Sequence, residues 1–270
     1  MPELPEIHNL AKQMNAALAG KVVSAVEVRQ EKCLNVPVKR FRSLLVGKTI
    51  GKVAARGKWV FAKLDPDTRF LLSLGMGGEA LYHKPGEPLP GKYQVKMGFS
   101  DGSALSIMFW WFGYAHAVRS AEAGSHKMTA SLGLSPLDPS EFTYQAFSAL
   151  LNAKKGAIKP VLMDQTQIAG IGNVYIQDIL FRARLHPNRR IPEIAEEERK
   201  LLFRVIRENL LSATKLGGLV HEKDLHGRPG RFQDFLVGYR EGQPCPECGT
   251  VIEKIRTGST ATFICPRCQT

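Results

Sequence analysis

CPECGTVIEKIRTGSTATFICPRC, residues 245–268, is the stretch that decides the fold. Cys245 and Cys248 make one C-x-x-C turn, Cys265 and Cys268 make a second, and sixteen residues separate the pairs. Each turn aims two sulfurs at one ion, and two turns complete a tetrahedron. The spacing predicts a zinc ribbon holding one structural zinc ion, because a closed four-thiolate set leaves no position open for chemistry. Clustered pairs of this kind point away from a disulfide framework. Cys33 stands apart from them and reads as an ordinary semi-buried thiol.

Working back from the ribbon, a Gly-rich loop runs from Gly217-Gly218 to Arg231. Before it the pattern is helical over 142–153, 174–183 and 193–215. Pro192 suits a helix start, and Glu193, Glu196, Glu197 and Glu198 lie where the helix dipole favours acids. The Gly pair after Lys215 is a stop signal. A linker is expected at 124–126 or 135–139. N-terminal to it, short apolar or alternating runs at 22–29, 49–54, 59–64, 70–74, 94–99 and 104–109 are punctuated by Gly, Pro and Asp, which predicts a sandwich or barrel. The basic run 32–42 reads as an exposed helix or loop. Ile7, Leu10, Ala11, Met14 and Leu18 fall on one stripe and predict a helix over 2–18. The expected organisation is α+β, with domains at 1–130, 131–240 and 241–270.

The 270 residues carry 37 Lys and Arg against 25 Asp and Glu, a formal charge of +12, which favours a polyanionic partner such as nucleic acid. No run approaches the ~18 apolar residues of a membrane span, so no membrane partner is expected. The start, MPELPE, lacks the basic and apolar regions of a secretion signal, and a cytoplasmic protein is expected.

Several stretches carry candidate chemistry. Removal of the initiator Met before Pro2 exposes a secondary amine, which attacks a sugar C1′ to give an iminium ion directly. Glu3 and Glu6 put carboxyls beside it for proton transfer. Alone, this stretch is more often just a helix start. Arg56-Gly57-Lys58 puts a lysine at a tight turn, otherwise a solvated charge. Gly75-Met76-Gly77-Gly78 presents one long apolar side chain, or packs it inward at a hairpin tip. Phe109-Trp110-Trp111-Phe112-Gly113 is core if buried and a base-stack wedge if exposed. Asp164-Gln165 and 169–175 form a glycine turn that opens a helix, either an anion site around Asn173 or an ordinary cap.

Taken together these residues resemble the bacterial formamidopyrimidine-DNA glycosylase and endonuclease VIII family over nearly the whole chain, the formamidopyrimidine branch above all. The matches run through 2–6, 56–58, 74–76, 112–113, 158–160, 170–175, 180–183 with 186–187, 230–233 and the cysteine tail. The resemblance implies an N-terminal β-sandwich with an N-terminal helix, a helical helix-two-turns-helix domain and a zinc finger. It implies a monomer that clamps damaged duplex DNA, on the nucleoid of a bacterial cytoplasm. Pro2 would be the Schiff-base nucleophile, Glu3 its partner acid and Lys58 a second catalytic amine. Met76, Trp111, Phe112, Lys155, Asn173, Arg256 and Thr260 would meet DNA. Gly217, Gly218, His221, His226 and Arg231 would belong to a loop capping the flipped base. Base excision would be followed by AP lyase strand cleavage, through elimination at the 3′ and then the 5′ phosphate.

The departures from the family pattern are specific. Trp111 stands where the family places an Arg before its Phe, and Thr260 where the finger offers an Arg. Ser73 replaces a His, Asp178 a Glu, and the capping loop is short and lacks its Thr pair. An indole has one donor and no charge, so an atypical lesion range is expected. The alternative is a protein that binds abasic or distorted DNA with weak or no excision.

Overall fold

The computed structural model describes all of residues 1–270. It divides into two compact units, one formed by Met1–Ser131 with Leu216–Phe232 and the other by Leu132–Lys215 with Gln233–Thr270. The sequence reading attached the whole of 131–240 to the helical domain. Instead, the Gly-rich segment leaves that unit and packs with the first, because its apolar and polar anchors find partners there, as described below.

In the first unit, helix α1 (Leu4–Leu18) begins at Leu4, with Glu3 as its cap, rather than at Pro2. Its apolar stripe, Ile7, Leu10, Ala11, Met14 and Leu18, is buried. Two antiparallel four-stranded sheets follow. One has the order β1 (Val23–Val28), β6 (Val95–Phe99), β7 (Ala104–Met108), β5 (Glu79–His83). The other runs β2 (Thr49–Arg56), β3 (Trp59–Asp65), β4 (Thr68–Ser73), β8 (Tyr114–Arg119). Alternation sends Val95, Met97, Leu105 and Ile107 from one sheet and Val60, Ala62, Phe70 and Leu72 from the other into a single core. Two strands, β5 and β8, were not anticipated. EALYH and YAHAVR are short and rich in small or polar residues, and their pairing partners hold them as strands. The basic run divides into a short turn, Glu31–Cys33, and helix α2 (Val38–Leu45), which buries Phe41 and Leu45 rather than lying free on the surface.

In the second unit, helix α5 (Tyr175–Arg182) is buried from Tyr175 to Phe181. Helix α3 (Tyr144–Asn152) and the long α6 (Glu196–Lys215) meet through Phe142, Phe147 and Phe203. A short α4 (Ile158–Met163), unforeseen because six residues carry little periodicity, precedes the glycine turn. The tail folds as a hairpin of β9 (Glu253–Thr257) and β10 (Thr260–Ile264) between the two cysteine pairs. The finger core, Cys245, Ile252, Phe263, Cys265 and Cys268, is continuous with Phe181 of α5.

Candidate functional site

At the N-terminus, Pro2 is buried and Glu3 is 2% exposed. Glu3 caps α1. Its carboxylate accepts the Glu6 N–H, while its own N–H donates to Glu6 Oε2 at 2.8 Å. The second Glu6 oxygen accepts the N–H of Leu219 at 3.0 Å. Glu6 is therefore committed to fastening residues 213 apart rather than to moving protons. Gly218 makes this possible. It has φ +86°, and a Cβ there would lie 2.5 Å from Glu6 Oε1.

The segment Leu216–Phe232 is a closed loop docked on the first unit. Gln13 of α1 accepts the Leu225 N–H at 2.9 Å and donates to Asp224 Oδ2 at 2.9 Å. Leu225 is wholly buried, and its carbonyl accepts the Tyr82 N–H of β5. Lys223 pairs with Glu79 at 2.7 Å. Asp224 ties the tip by accepting the N–H groups of His226 and Arg228, each at 2.9 Å. Of the residues assigned to this loop, His221, His226 and Arg231 are exposed, and the His226 ring meets Tyr82 edge to face. Glu222, which the sequence reading passed over, pairs with the amine of Met1 at 3.3 Å.

Lys58 follows Gly57 in the turn between β2 and β3 and is half-buried. Its neighbour Trp59 stacks on Tyr114 at 6.0 Å, behind which His116 Nδ1 and His126 Nε2 lie 2.9 Å apart. Burial, then His126, pushes the His116 imidazole down to about 4, so at neutral pH it is an uncharged support for this turn.

Met76 is bridged to Trp111 backbone to backbone, with the Met76 N–H donating at 2.9 Å and the Trp111 N–H at 3.3 Å. This pairing needs Gly75, where a Cβ would sit 2.0 Å from the Trp111 carbonyl. Met76 is 41% exposed, Trp110 72%, Trp111 62% and Phe112 66%. Only Phe109 of the aromatic run joins the core, so the readings of Met76 and Trp111 as inward packing are excluded. Phe112 has φ +54°, a left-handed strain that turns its ring outward with the others.

In the second unit, Asn173 stands at the entry to α5, next to a buried lysine. Lys159 is 1% exposed and donates to Asn173 Oδ1 at 2.8 Å, Thr260 Oγ1 at 3.0 Å and Thr262 Oγ1 at 2.6 Å. An ammonium only donates, so it compels Asn173 to present its oxygen inward and leaves the NH2 as the outward donor. Thr260 is occupied on both sides, since its hydroxyl also donates to the Thr257 carbonyl. Gln177 of α5 donates to the Asn173 and Ala261 carbonyls and accepts the Phe263 N–H. Asp178 is buried and accepts the N–H groups of Leu236, Val237 and Gly238 at 2.8–3.0 Å. Lys155 and Arg256 are exposed, and Arg256 donates to the Gly258 carbonyl. The part played by Lys159 is not legible in the sequence, because its burial depends on the finger hairpin far along the chain.

The four cysteine sulfurs lie within 4.8 Å of one another. Tetrahedral zinc–sulfur bonds of about 2.3 Å require sulfurs about 3.8 Å apart, and the Cys245–Cys268 and Cys248–Cys265 pairs stand at 3.9 and 3.4 Å. The set fits one structural zinc ion with no place for a fifth ligand.

This arrangement defines a helix-two-turns-helix, zinc-finger protein built on an N-terminal β-sandwich. Three family models match, the formamidopyrimidine-DNA glycosylase N-terminal domain over residues 1–108, its H2TH domain over 132–223 and the zinc finger found in FPG and IleRS over 242–270. The chain belongs to the formamidopyrimidine-DNA glycosylase family. It is 33% identical to the formamidopyrimidine-DNA glycosylase of Bacillus cereus, covering 100% of this chain and 99% of that protein. The corresponding enzyme of Pelotomaculum thermopropionicum is also 33% identical, over the same shares of each chain. Among solved structures, the Lactococcus lactis Fpg bound to a DNA containing N7-benzyl-Fapy-dG superposes with a TM-score of 0.90 at 27% identity, over 99% of both chains. MutM in complex with DNA containing carbocyclic 8-oxo-G gives 0.89, also at 27% and over 99% of both.

Two predictions follow from the second unit. Cys265→Ser is expected to release about one zinc per chain, read with a chromogenic chelator; full zinc retention in the variant would contradict the four-thiolate site. Burial holds the Lys159 amine down at about 8. The unfolded chain, with an ordinary lysine, therefore binds more protons than the folded one between about pH 8 and 10.5. The Lys159 contribution to stability should rise with pH through that window and be flat below it. Urea unfolding of wild type and Lys159→Met, compared across pH 7–10.5, should show this rise as the difference between the two. A difference independent of pH would mean that the folded amine titrates normally.

Proposed function

We propose that this protein is a bifunctional DNA glycosylase and AP lyase, acting as a monomer on damaged duplex DNA in a bacterial cytoplasm. The observation that carries the reading is a buried Pro2-Glu3 start with a loop fastened over it, in a chain that matches the family from end to end. After Met1 is removed, the Pro2 amine attacks C1′ of the flipped nucleotide and the base departs with its bonding pair; the remaining N–H proton is then lost, the C1′–O4′ bond opens with a proton ending on O4′, and an iminium ion joins sugar to protein. Glu3, at the helix cap beside the amine, exchanges protons with the sugar. Lys58, on its rigid turn, serves the elimination that breaks the strand. Asn173 donates its outward NH2 to a backbone phosphate, which positions DNA without reading sequence. The finger holds its hairpin against α5, and Thr260, lacking charge, leaves exposed Arg256 as the finger cation for phosphate.

The ridge of Met76, Trp110, Trp111 and Phe112 supports a further point about range. Exposed aromatics at a loop tip wedge into a base stack and fill the space a flipped nucleotide vacates. An indole stacks on any base, worth ~1–3 kcal/mol, and makes no forked contact to tell one from another. Excision accordingly depends only weakly on the opposite base.

Borohydride treatment with abasic DNA should yield a covalent adduct at the processed N-terminus. Pro2→Gly, still an amine, should retain some trapping, whereas residues fused ahead of Pro2 should abolish it. Trapping undiminished by the fusion would remove Pro2 as nucleophile, and absence of any adduct would favour a DNA-binding protein without excision. Excision of one lesion opposite each of four bases should be flat in the wild type. Trp111→Arg should favour cytosine by ~1–3 kcal/mol, the worth of a bidentate contact. A wild type that already demands cytosine would assign the partner strand to another residue.

A further inference from the structure

Glu222 lies far from the N-terminus in sequence and against it in space. Its carboxylate stands 3.3 Å from the Met1 amine, with the Glu222 side chain only 14% exposed. The backbone behind it is fixed, since the Glu222 N–H donates to the Leu219 carbonyl and its own carbonyl accepts the Gly230 N–H. The next residue is pinned by Lys223–Glu79. The other carboxylates at the chain start are engaged, Glu6 by two backbone N–H groups and Glu3 by the helix cap. Loss of Met1 moves the amine by one residue, about 3.8 Å along the chain, within the swing of a glutamate side chain.

We propose that Glu222 is the proton acceptor for the Pro2 amine, a role that rests on Pro2 being the nucleophile. An ammonium has no lone pair to give. In this step one N–H proton passes from the Pro2 ammonium to a Glu222 oxygen. The nitrogen pair so freed forms the bond to C1′, and the group on C1′ leaves with its own electron pair. Glu222 then holds the proton as a neutral acid until solvent takes it.

The surroundings suit this exchange. Burial raises the Glu222 carboxyl above the usual carboxylate range. The N-terminal ammonium and His221 oppose that rise, and the neighbouring charge of Glu3 adds to it. A carboxylate raised in this way is a better base than a solvated one. The loop that carries Glu222 also covers the amine, so its docking and the activation of the nucleophile are one event.

The test is single-turnover borohydride trapping on abasic duplex at saturating protein, from pH 5.5 to 9, using chains whose mass shows that Met1 is gone. Wild type should reach its plateau at low pH. Glu222→Gln should give the same N-terminal adduct ~10²–10⁴-fold more slowly at pH 7, with a rate that climbs with pH as solvent does the deprotonation. Glu222→Asp should keep the wild-type profile at a reduced rate, and its shape decides the matter if the Gln variant fails to fold. An N-terminal adduct formed by Glu222→Gln at the wild-type rate, or slowed equally at every pH, overturns the proton-acceptor role and leaves Pro2 in place. An adduct mapped to another peptide overturns the Pro2 reading, and this one with it.

Discussion

One carboxylate, that of Glu6, holds the N-terminal end of the first unit together. It accepts backbone N–H groups from Glu3 and Leu219, and so ties the helix start to the loop that covers it. Charge-assisted hydrogen bonds of this kind are worth ~1.5–3 kcal/mol each, and a buried carboxylate left with one partner would cost more than it contributes. Everything around the N-terminal amine depends on this clasp. Gly218 must be glycine to admit it, Leu225 is carried into the sandwich core by it, and Glu222 is brought to the amine through it.

The second unit solves a similar problem with a polar core. Helix α5 buries Gln177 and Asp178, and α4 buries Lys159, yet each finds partners on the finger or the loop before it. Such a network contributes little net stability over an apolar core, but it admits only one arrangement of the parts. Its consequence is geometric. Lys159 sets the direction of the Asn173 amide, and Gln177 sets the height of β10 beside it. The zinc site and the helix entry are thereby a single piece, and Thr260 serves that piece rather than facing out as a charged residue at its position would.

The exposed ridge rests on two backbone demands. Gly75 permits the Met76–Trp111 bridge, and Phe112 takes a left-handed conformation that would be costly elsewhere. Three consecutive aromatics, Trp110, Trp111 and Phe112, are left in solvent at this turn.

The zinc site, the two sheets' strands at β1–β4, β6 and β7, and the helices α1, α3, α5 and α6 were legible in the sequence, because each rests on local spacing: C-x-x-C turns, alternation of two, or a stripe near 3.6. Motifs in the sequence single out Pro2, Glu3, Lys58, Met76 and Asn173 as candidates. Strands β5 and β8 and helix α4 were not legible, since short polar elements are held by neighbours rather than by their own pattern. Nor was the allegiance of Leu216–Phe232, which follows a helix in sequence and packs with the sandwich through Gln13, Glu6 and Tyr82. The sequence by itself determined the four-cysteine site and the elements with a strong period of their own. Only the tertiary structure decided that Glu6 is a clasp, that Lys159 is buried, that the aromatics are exposed, and that Glu222 meets the amine. The reason is physical: local patterns are set by bond geometry over a few residues, whereas the charge state and exposure of a side chain are set by whatever the chain brings to it from far away.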